Sequence, residues 1–114
     1  MALTRSFRDT VAARAQHDAA FRAALLEEVF QALLEGDMPT ARALLRDCIN
    51  ATIGFARLSE ATHKPAKSLM RMVGPHGNPS ADTLIAVLRA VQQSAGLHAH
   101  IEITANHFTP PKTA

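Results

Sequence analysis

Apolar residues recur at helical spacing along much of the chain, and the clearest stripe repeats about every four residues. This stripe predicts an amphipathic helix that Asp18 caps at its start and Gly36 ends. Its members are Phe21, Leu25, Val29 and Leu33, widened by Leu26, Phe30 and Leu34. The apolar side of this helix should face the core of the protein.

Two more long helices follow from the same pattern. Asp37 is the expected cap of the next one, and Pro39 lies in its first turn, where a missing N–H costs little. Its apolar face contains Ala41, Leu44, Leu45, Cys48, Ile49 and Ile53. Ser80 is expected to cap the last helix and Gly96 to end it. Residues 1–17 are expected to form an N-terminal arm or a weaker helix.

Between these helices the pattern predicts two short ones, Phe55 to Thr62 and Pro65 to Val73. The stretch 74–79 is dense in glycine and proline, so it should be a loop. Two short helices joined by a tight turn are typical of a helix-turn-helix, here about 55–73. The predicted fold is therefore all-α, with a helical domain over 18–96.

Residues 97–104 break the helical pattern, because apolar and polar side chains alternate there as in a half-buried strand. No second strand is visible in the sequence, and a lone strand has unpaired backbone groups along its edges. The simplest partner is the same strand of a second copy, which would form a C2 homodimer. The alternative is an extended, solvated segment over the core. Residues 105–114 are expected to be a loose tail.

Length and composition are consistent with one soluble domain. The chain has 114 residues, of which 47% are hydrophobic and 19% charged. Its single cysteine, Cys48, excludes an intramolecular disulfide and a cysteine-based zinc site, and its place on an apolar face predicts a core residue. No apolar run approaches the roughly 20 residues that span a bilayer, and no secretory signal is visible at the N-terminus. We therefore expect a cytoplasmic protein.

The second short helix has two chemically distinct sides. On a helical wheel, Leu69, Met72 and Val73 fall on one side and should pack on the core. The opposite side carries Lys67, Ser68 and Arg71, and Lys64 projects the same way from the entering turn. Such a face fits the major groove of DNA, where arginine binds guanine and lysines neutralise phosphates. The alternative is an ordinary amphipathic helix with a solvated polar face.

Charge along the chain is consistent with two surfaces that have different partners. Residues 54–80 carry more basic than acidic side chains, whereas residues 18–53 carry more acidic ones. The acidic set includes Glu27, Glu28, Glu35 and Asp37. By itself this pattern fits solvated helix faces equally well.

Three stretches of the sequence resemble the lambda-repressor-like helix-turn-helix family, and more narrowly the HigA-like addiction-module antidote (antitoxin) proteins. They are Asn50-Ala-Thr-Ile-Gly-Phe55, Lys67-Ser68-Leu69 with Arg71-Met72, and Gly77-Asn78-Pro79. The resemblance covers about residues 18–103. It implies a repressor that binds the near-palindromic operator of its own toxin–antitoxin operon and also binds and silences a small toxin of the RNase type.

The resemblance also implies positions for the DNA contacts. The recognition-helix contacts fall on Lys67, Ser68 and Arg71, and the turn contact falls on Lys64. The loop contacts to the DNA backbone fall on His76 and Asn78. This sequence departs from the family pattern at His63, where glycine is common, although histidine tolerates positive φ better than most residues. Lys64 is also a poor cap for the helix that follows.

Other chemistries are weaker interpretations of the sequence. His98, His100 and His107 can be read as a metal site, but only Glu102 accompanies them, and outward positions on a strand are ordinary places for histidine. No phosphate loop or catalytic triad pattern is present. We therefore expect no enzyme, no cofactor and no metal.

Two rival function classes stay open. In one, the chain is a protein-interaction module that binds only the toxin, with the helix-turn-helix as a scaffold. In the other, weaker one, it is a regulator that responds to a small molecule, but the chain leaves no room for a separate sensor domain. If the toxin is bound, an acidic helix face is a candidate for its basic cleft.

Overall fold

The computed structural model describes residues 9–11, 13–15 and 17–106, and within these ranges the chain is all-α. Helical residues at 9–11, 13–15 and 17 precede five helices. These are α1 (Ala19–Leu34), α2 (Met38–Ala51), α3 (Phe55–Thr62), α4 (Ala66–Met72) and α5 (Ala81–Ala95). The predicted all-α class is confirmed, and no helix in the described ranges is long and apolar enough to cross a membrane.

The predicted helix caps are confirmed. The carboxylate of Asp18 accepts a hydrogen bond from the Phe21 N–H at 3.1 Å, and Asp37 and Ser80 do the same for the N–H groups of Thr40 and Thr83. The bond from Phe21, helped by Arg14 at 3.6 Å, lowers the pKa of Asp18 below 3.8. These side chains fix where α1, α2 and α5 begin.

The helix ends agree with the sequence as well. Gly36 and Gly96 both adopt positive φ, 79° and 71°, which closes α1 and α5 in the left-handed conformation that glycine tolerates. The Leu97 N–H then donates to the carbonyl of Gln92 at 2.9 Å, so the chain leaves α5 in a defined direction.

One apolar core joins all five helices. Its largest fully buried side chains are Val29, Cys48, Ile49, Leu58, Leu69, Val87 and Val91. Cys48 lies in this core as predicted, and burial raises the pKa of its thiol to about 11. The thiol is therefore protonated and unreactive near neutral pH. α2 packs on α1, while α3 packs on both α4 and α5.

The predicted strand over 97–104 is not formed in this single chain. Residues 97–106 carry no strand pairing, and the described ranges contain no other strand that could pair with them. A ladder of hydrogen bonds requires a second strand, and a single copy of this sequence does not supply one. Of the predicted tail, residues 107–114 lie outside the described residues. So do residues 1–8, 12 and 16 of the predicted N-terminal arm.

Candidate nucleic-acid interface

A turn of three residues, His63 to Pro65, joins α3 to α4. His63 ends α3 in the left-handed conformation with φ of 58°. It therefore adopts the positive φ for which the family pattern commonly has glycine. Two hydrogen bonds join Ser59 of α3 to Lys64 in the turn. Its hydroxyl donates to the Lys64 carbonyl at 2.5 Å, and its own carbonyl accepts from the Lys64 N–H at 3.3 Å. The angle between the two helices is therefore set by local hydrogen bonds.

The apolar face of α4 points to the core and its polar face points to solvent, as predicted. Leu69, Met72 and Val73 are buried in the core, whereas Lys67, Ser68 and Arg71 are exposed. The two-sided pattern expected from the helical wheel is confirmed. The N-cap of α4 is Pro65 rather than the expected Lys64, and it makes no side-chain capping hydrogen bond. The helix is instead held by its buried face.

All six predicted contact residues line one open groove with a volume of about 1190 Å³. They are Lys64, Lys67, Ser68, Arg71, His76 and Asn78. Residues that lie up to 14 positions apart in the chain thus share one surface, because α4 forms one wall and the loop over 74–79 forms the next. Lys64 is half-buried and the other five are exposed, so their polar ends reach solvent.

The loop over 74–79 is held tightly against the end of α4. The Gly77 N–H donates to the Gly74 carbonyl at 3.0 Å, and a Cβ at Gly77 would overlap the carbonyl oxygen of Met72. Arg42 reaches across from α2 and donates to the carbonyls of Gly74 at 3.1 Å and Pro75 at 3.2 Å. The positions of His76 and Asn78 therefore depend on Gly77 and on Arg42, and Arg42 is not itself a lining residue of the groove.

Sequence reasoning missed part of this surface. Arg46 and Asn50 on α2, together with Thr83 on α5, also line the groove. A signal for the first two was present, since they lie four residues apart and therefore share one face of α2. Nothing in the sequence told which face of α2 would lie beside α4.

The groove is electropositive. Arg46, Lys64, Lys67 and Arg71 bring four basic side chains to it, and no aspartate or glutamate is among its lining residues in the described ranges. The lining also contains apolar side chains, among them Phe55 and the exposed Met70. Such a surface can bind phosphates through its lysines and base edges through its arginines and its serine.

The remaining candidate residues lie elsewhere. Glu27, Glu28, Glu35 and Asp37 are all exposed on or just after α1. His98 and His100 are exposed and line a second groove of about 710 Å³ between α1, α5 and the segment that follows α5. No group of three side chains in the described ranges is arranged to hold a metal ion, and His107 lies outside these ranges.

No family model, no curated protein and no solved structure matches this chain.

Proposed function

We propose that this protein is a sequence-specific DNA-binding repressor, with α3 and α4 as its helix-turn-helix and α4 as the recognition helix. The observation that carries the proposal is the single groove in which all six predicted contact residues lie beside Arg46, with no acidic side chain in the lining. A duplex carries one negative charge per roughly 1.7 Å of its axis, so a groove with this charge pattern suits its backbone.

Each side chain has a definite part in this proposal. Arg71 makes a bidentate contact to guanine and Ser68 donates to or accepts from a base edge, which provides specificity. Lys64 and Lys67 bind phosphates, which provides affinity and salt dependence. Leu69 anchors α4, so Lys67, Ser68 and Arg71 lie on its outward side, and Ser59 holds Lys64 in the turn.

Arg46 and the loop over 74–79 extend the contact beyond α4. Arg46 of α2, His76 and Asn78 all line the groove. In this proposal Arg46 binds a phosphate, and His76 and Asn78 contact the sugar–phosphate backbone. Because Arg42 ties the loop to α2, these contacts are preorganised in the free protein. Less ordering on binding means a smaller entropic loss.

The biological role that we propose is that of an antitoxin. It rests on the resemblance to the HigA-like antidote proteins, which repress their own operon and silence a toxin. In this role the protein is a cytoplasmic homodimer whose two recognition helices read half-sites about one helical turn apart. The acidic surface of α1 is then the candidate site for a basic toxin. Replacing Glu27, Glu28 and Glu35 by lysine should abolish toxin binding, and unchanged affinity would refute this site.

The first experiment is enrichment of sheared genomic DNA by the full-length protein. We expect the wild type to enrich a short inverted repeat upstream of its own gene, and the Lys67→Ala/Arg71→Ala variant to enrich nothing. Arg57→Ala, which removes an exposed arginine of α3 that lines neither this groove nor the second one, is the matched control and should behave as the wild type. If the wild type enriches no sequence, the groove is a scaffold and the search moves to protein partners.

A second measurement separates base recognition from charge. Arg71→Ala should cost on the order of 1–3 kcal/mol of binding free energy on the enriched site and much less on random DNA, as measured by fluorescence anisotropy. Lys67→Ala should weaken binding to both DNAs and reduce the salt dependence. An equal loss for Arg71→Ala on both DNAs would refute its role in reading bases.

A further inference from the structure

Apolar side chains are exposed where α1, α5 and the segment after α5 meet. Leu34 is 72% exposed, Ile85 54%, Ile101 62% and Ile103 90%. Leu34, Ile85 and Ile101 line the second groove, together with Leu97 and Ala99. Isolated apolar side chains on a surface are ordinary, but three large ones around one groove, with Ile103 two residues beyond Ile101, form a patch that favours contact with a partner.

The segment over 97–104 is held along one edge only. The N–H groups of Leu97 and Ala99 both donate to Gln92, one to its backbone carbonyl and one to its side-chain oxygen, each at 2.9 Å. In extended backbone, alternate residues direct their N–H and C=O groups to opposite edges. The N–H of Ala99 therefore faces α5, and in an extended segment the edge formed by His98, His100, Glu102 and Thr104 is the open one. No hydrogen bond within the described ranges pairs the backbone of this edge.

We infer that a second copy of this chain pairs with this open edge, in an antiparallel ribbon with Ile101 on the two-fold axis. The inference deepens the homodimer of the proposed function and rests on it, but it does not depend on DNA binding. It names the surface, the edge and the register by which the two copies meet. Both copies use the same surface, as a two-fold dimer requires.

The cross-strand polar pairs favour this register over one centred on Glu102. With Ile101 opposite itself, His100 lies opposite Glu102 of the partner subunit, and symmetry repeats the pair, so two imidazoles donate to two carboxylates. A register centred one residue later would place Glu102 opposite Glu102 of the partner subunit. Like charges directly opposite each other destabilise a ribbon, whereas opposite ones stabilise it.

The same register also covers the apolar side chains of the segment. Ile101 meets its own copy, and Ile103 of the partner subunit lies opposite Ala99, on the side of the segment that lines the second groove. The small side chain of Ala99 leaves room there for the isoleucine, beside the exposed Ile85. Ile101 and Ile103, two of the exposed large apolar residues of the described chain, would thus be covered by the same pairing that satisfies the backbone.

Engineered disulfides test the register in the full-length chain. With Ile101 on the axis, the two Cα atoms of residue 101 lie about 4.5 Å apart as a non-hydrogen-bonded pair, whereas those of residue 102 are diagonal neighbours at about 7–8 Å. Only the first distance suits a disulfide. Ile101→Cys should therefore form a covalent dimer under mild oxidation, and Glu102→Cys should not. The native chain is a control, because Cys48 is buried.

The oligomeric state tests the surface. We expect sedimentation equilibrium to give twice the 12.3 kDa of one chain, and Ile103→Asp to give a monomer with unchanged helical circular dichroism. Met70→Asp, also at an exposed apolar residue but in the other groove, should stay dimeric. His100→Glu should weaken the dimer about tenfold, and adding Glu102→Lys should restore it by reversing both pairs.

Three results would overturn the inference. They are a wild-type monomer at all accessible concentrations, a dimer that Ile103→Asp leaves intact, and a crosslink through Glu102→Cys in preference to Ile101→Cys. None of them would refute DNA recognition by α4, because a monomer still binds a half-site and the loss on Arg71→Ala can be measured there. Conversely, a dimer with the expected crosslink and no DNA binding would refute the repressor and leave the ribbon in place.

Discussion

The groove formed by α4 and the loop over 74–79 differs from the segment after α5 in how completely one copy of the chain supports it. The groove is supported throughout by its own chain. Ser59 holds the turn, Arg42 and Gly77 hold the loop, and Leu69 anchors α4. The segment over 97–104 is supported at its start by Gln92, and beyond Ala99 its apolar side chains are exposed and its backbone is unpaired within the described ranges.

This difference separates a surface that is well solvated by itself from one whose backbone and apolar side chains are left uncovered. Polar side chains at the groove lose little by facing water. Exposed isoleucines and unpaired backbone groups gain only when they are covered. We therefore expect substitutions in the two regions to act on different quantities. Those near the groove should change the stability of one chain and its DNA affinity, and those in the segment should change self-association.

The largest expected effect comes from the anchor of α4. Leu69→Ala should reduce the free energy of unfolding by about 3 kcal/mol, because Leu69 is almost fully buried and truncation leaves a cavity. Ile103→Ala removes the same number of carbon atoms from the segment but should change the unfolding of the monomer by less than about 0.5 kcal/mol. Urea unfolding at low protein concentration measures both. Comparable losses would show that the segment is part of the monomer's core after all.

The close contact of Gly77 with α4 comes next. Gly77→Ala should destabilise the protein by about 2 kcal/mol and weaken DNA binding at least tenfold, because the new Cβ meets backbone that no side-chain rotation can move. Gly74→Ala is the matched control in the same loop. Its Cβ would lie 3.3 Å from the Arg71 carbonyl oxygen, so a small shift suffices. Thermal unfolding and anisotropy on the same preparations would test this, and equal effects at both glycines would contradict it.

The Gly77 contact also shows what the sequence could and could not predict. The helices and their caps follow from local patterns, so Asp18, Ser80 and Gly96 were identified correctly. The outward face of α4 follows from the helical wheel. The reason why position 77 requires glycine lies in a backbone approach to Met72 after the chain has turned, and no periodicity encodes that approach.

Tertiary placement explains the other omissions. Arg42 and Arg46 are both arginines on α2, yet one donates to the loop's carbonyls and the other lines the groove. Their four-residue spacing shows that they share a face, but only the packing of α2 decides which residue meets which neighbour. The predicted strand failed in the single chain for a related reason. Its alternation is real, with Leu97 and Ala99 turned inward, but pairing depends on a second strand.

These two arginines give the next prediction. Arg42→Ala should lower stability by about 1.5 kcal/mol, because two backbone carbonyls lose a charged donor, and should loosen the loop. Hydrogen exchange should then speed up at the Gly77 amide. Arg46→Ala should change stability and exchange little, and weaken DNA binding with a smaller salt dependence. If Arg42→Ala left the Gly77 exchange unchanged, Gly77 alone would hold the loop.

The smallest effect is expected at Gln92, the residue of α5 that accepts the hydrogen bonds of the segment over 97–104. Gln92→Ala removes the acceptor of the Ala99 N–H and the side-chain donor to the Leu88 carbonyl, so it should cost about 1 kcal/mol and speed hydrogen exchange at Ala99. Gln93→Ala, at the exposed neighbouring position, should change neither. Because the same hydrogen bond directs the even-numbered edge outward, Gln92→Ala should also weaken the dimer several-fold while leaving DNA binding to a half-site unchanged. A loss of half-site binding with an intact dimer would mean that the two regions are coupled through α5, and that the contrast between them does not hold.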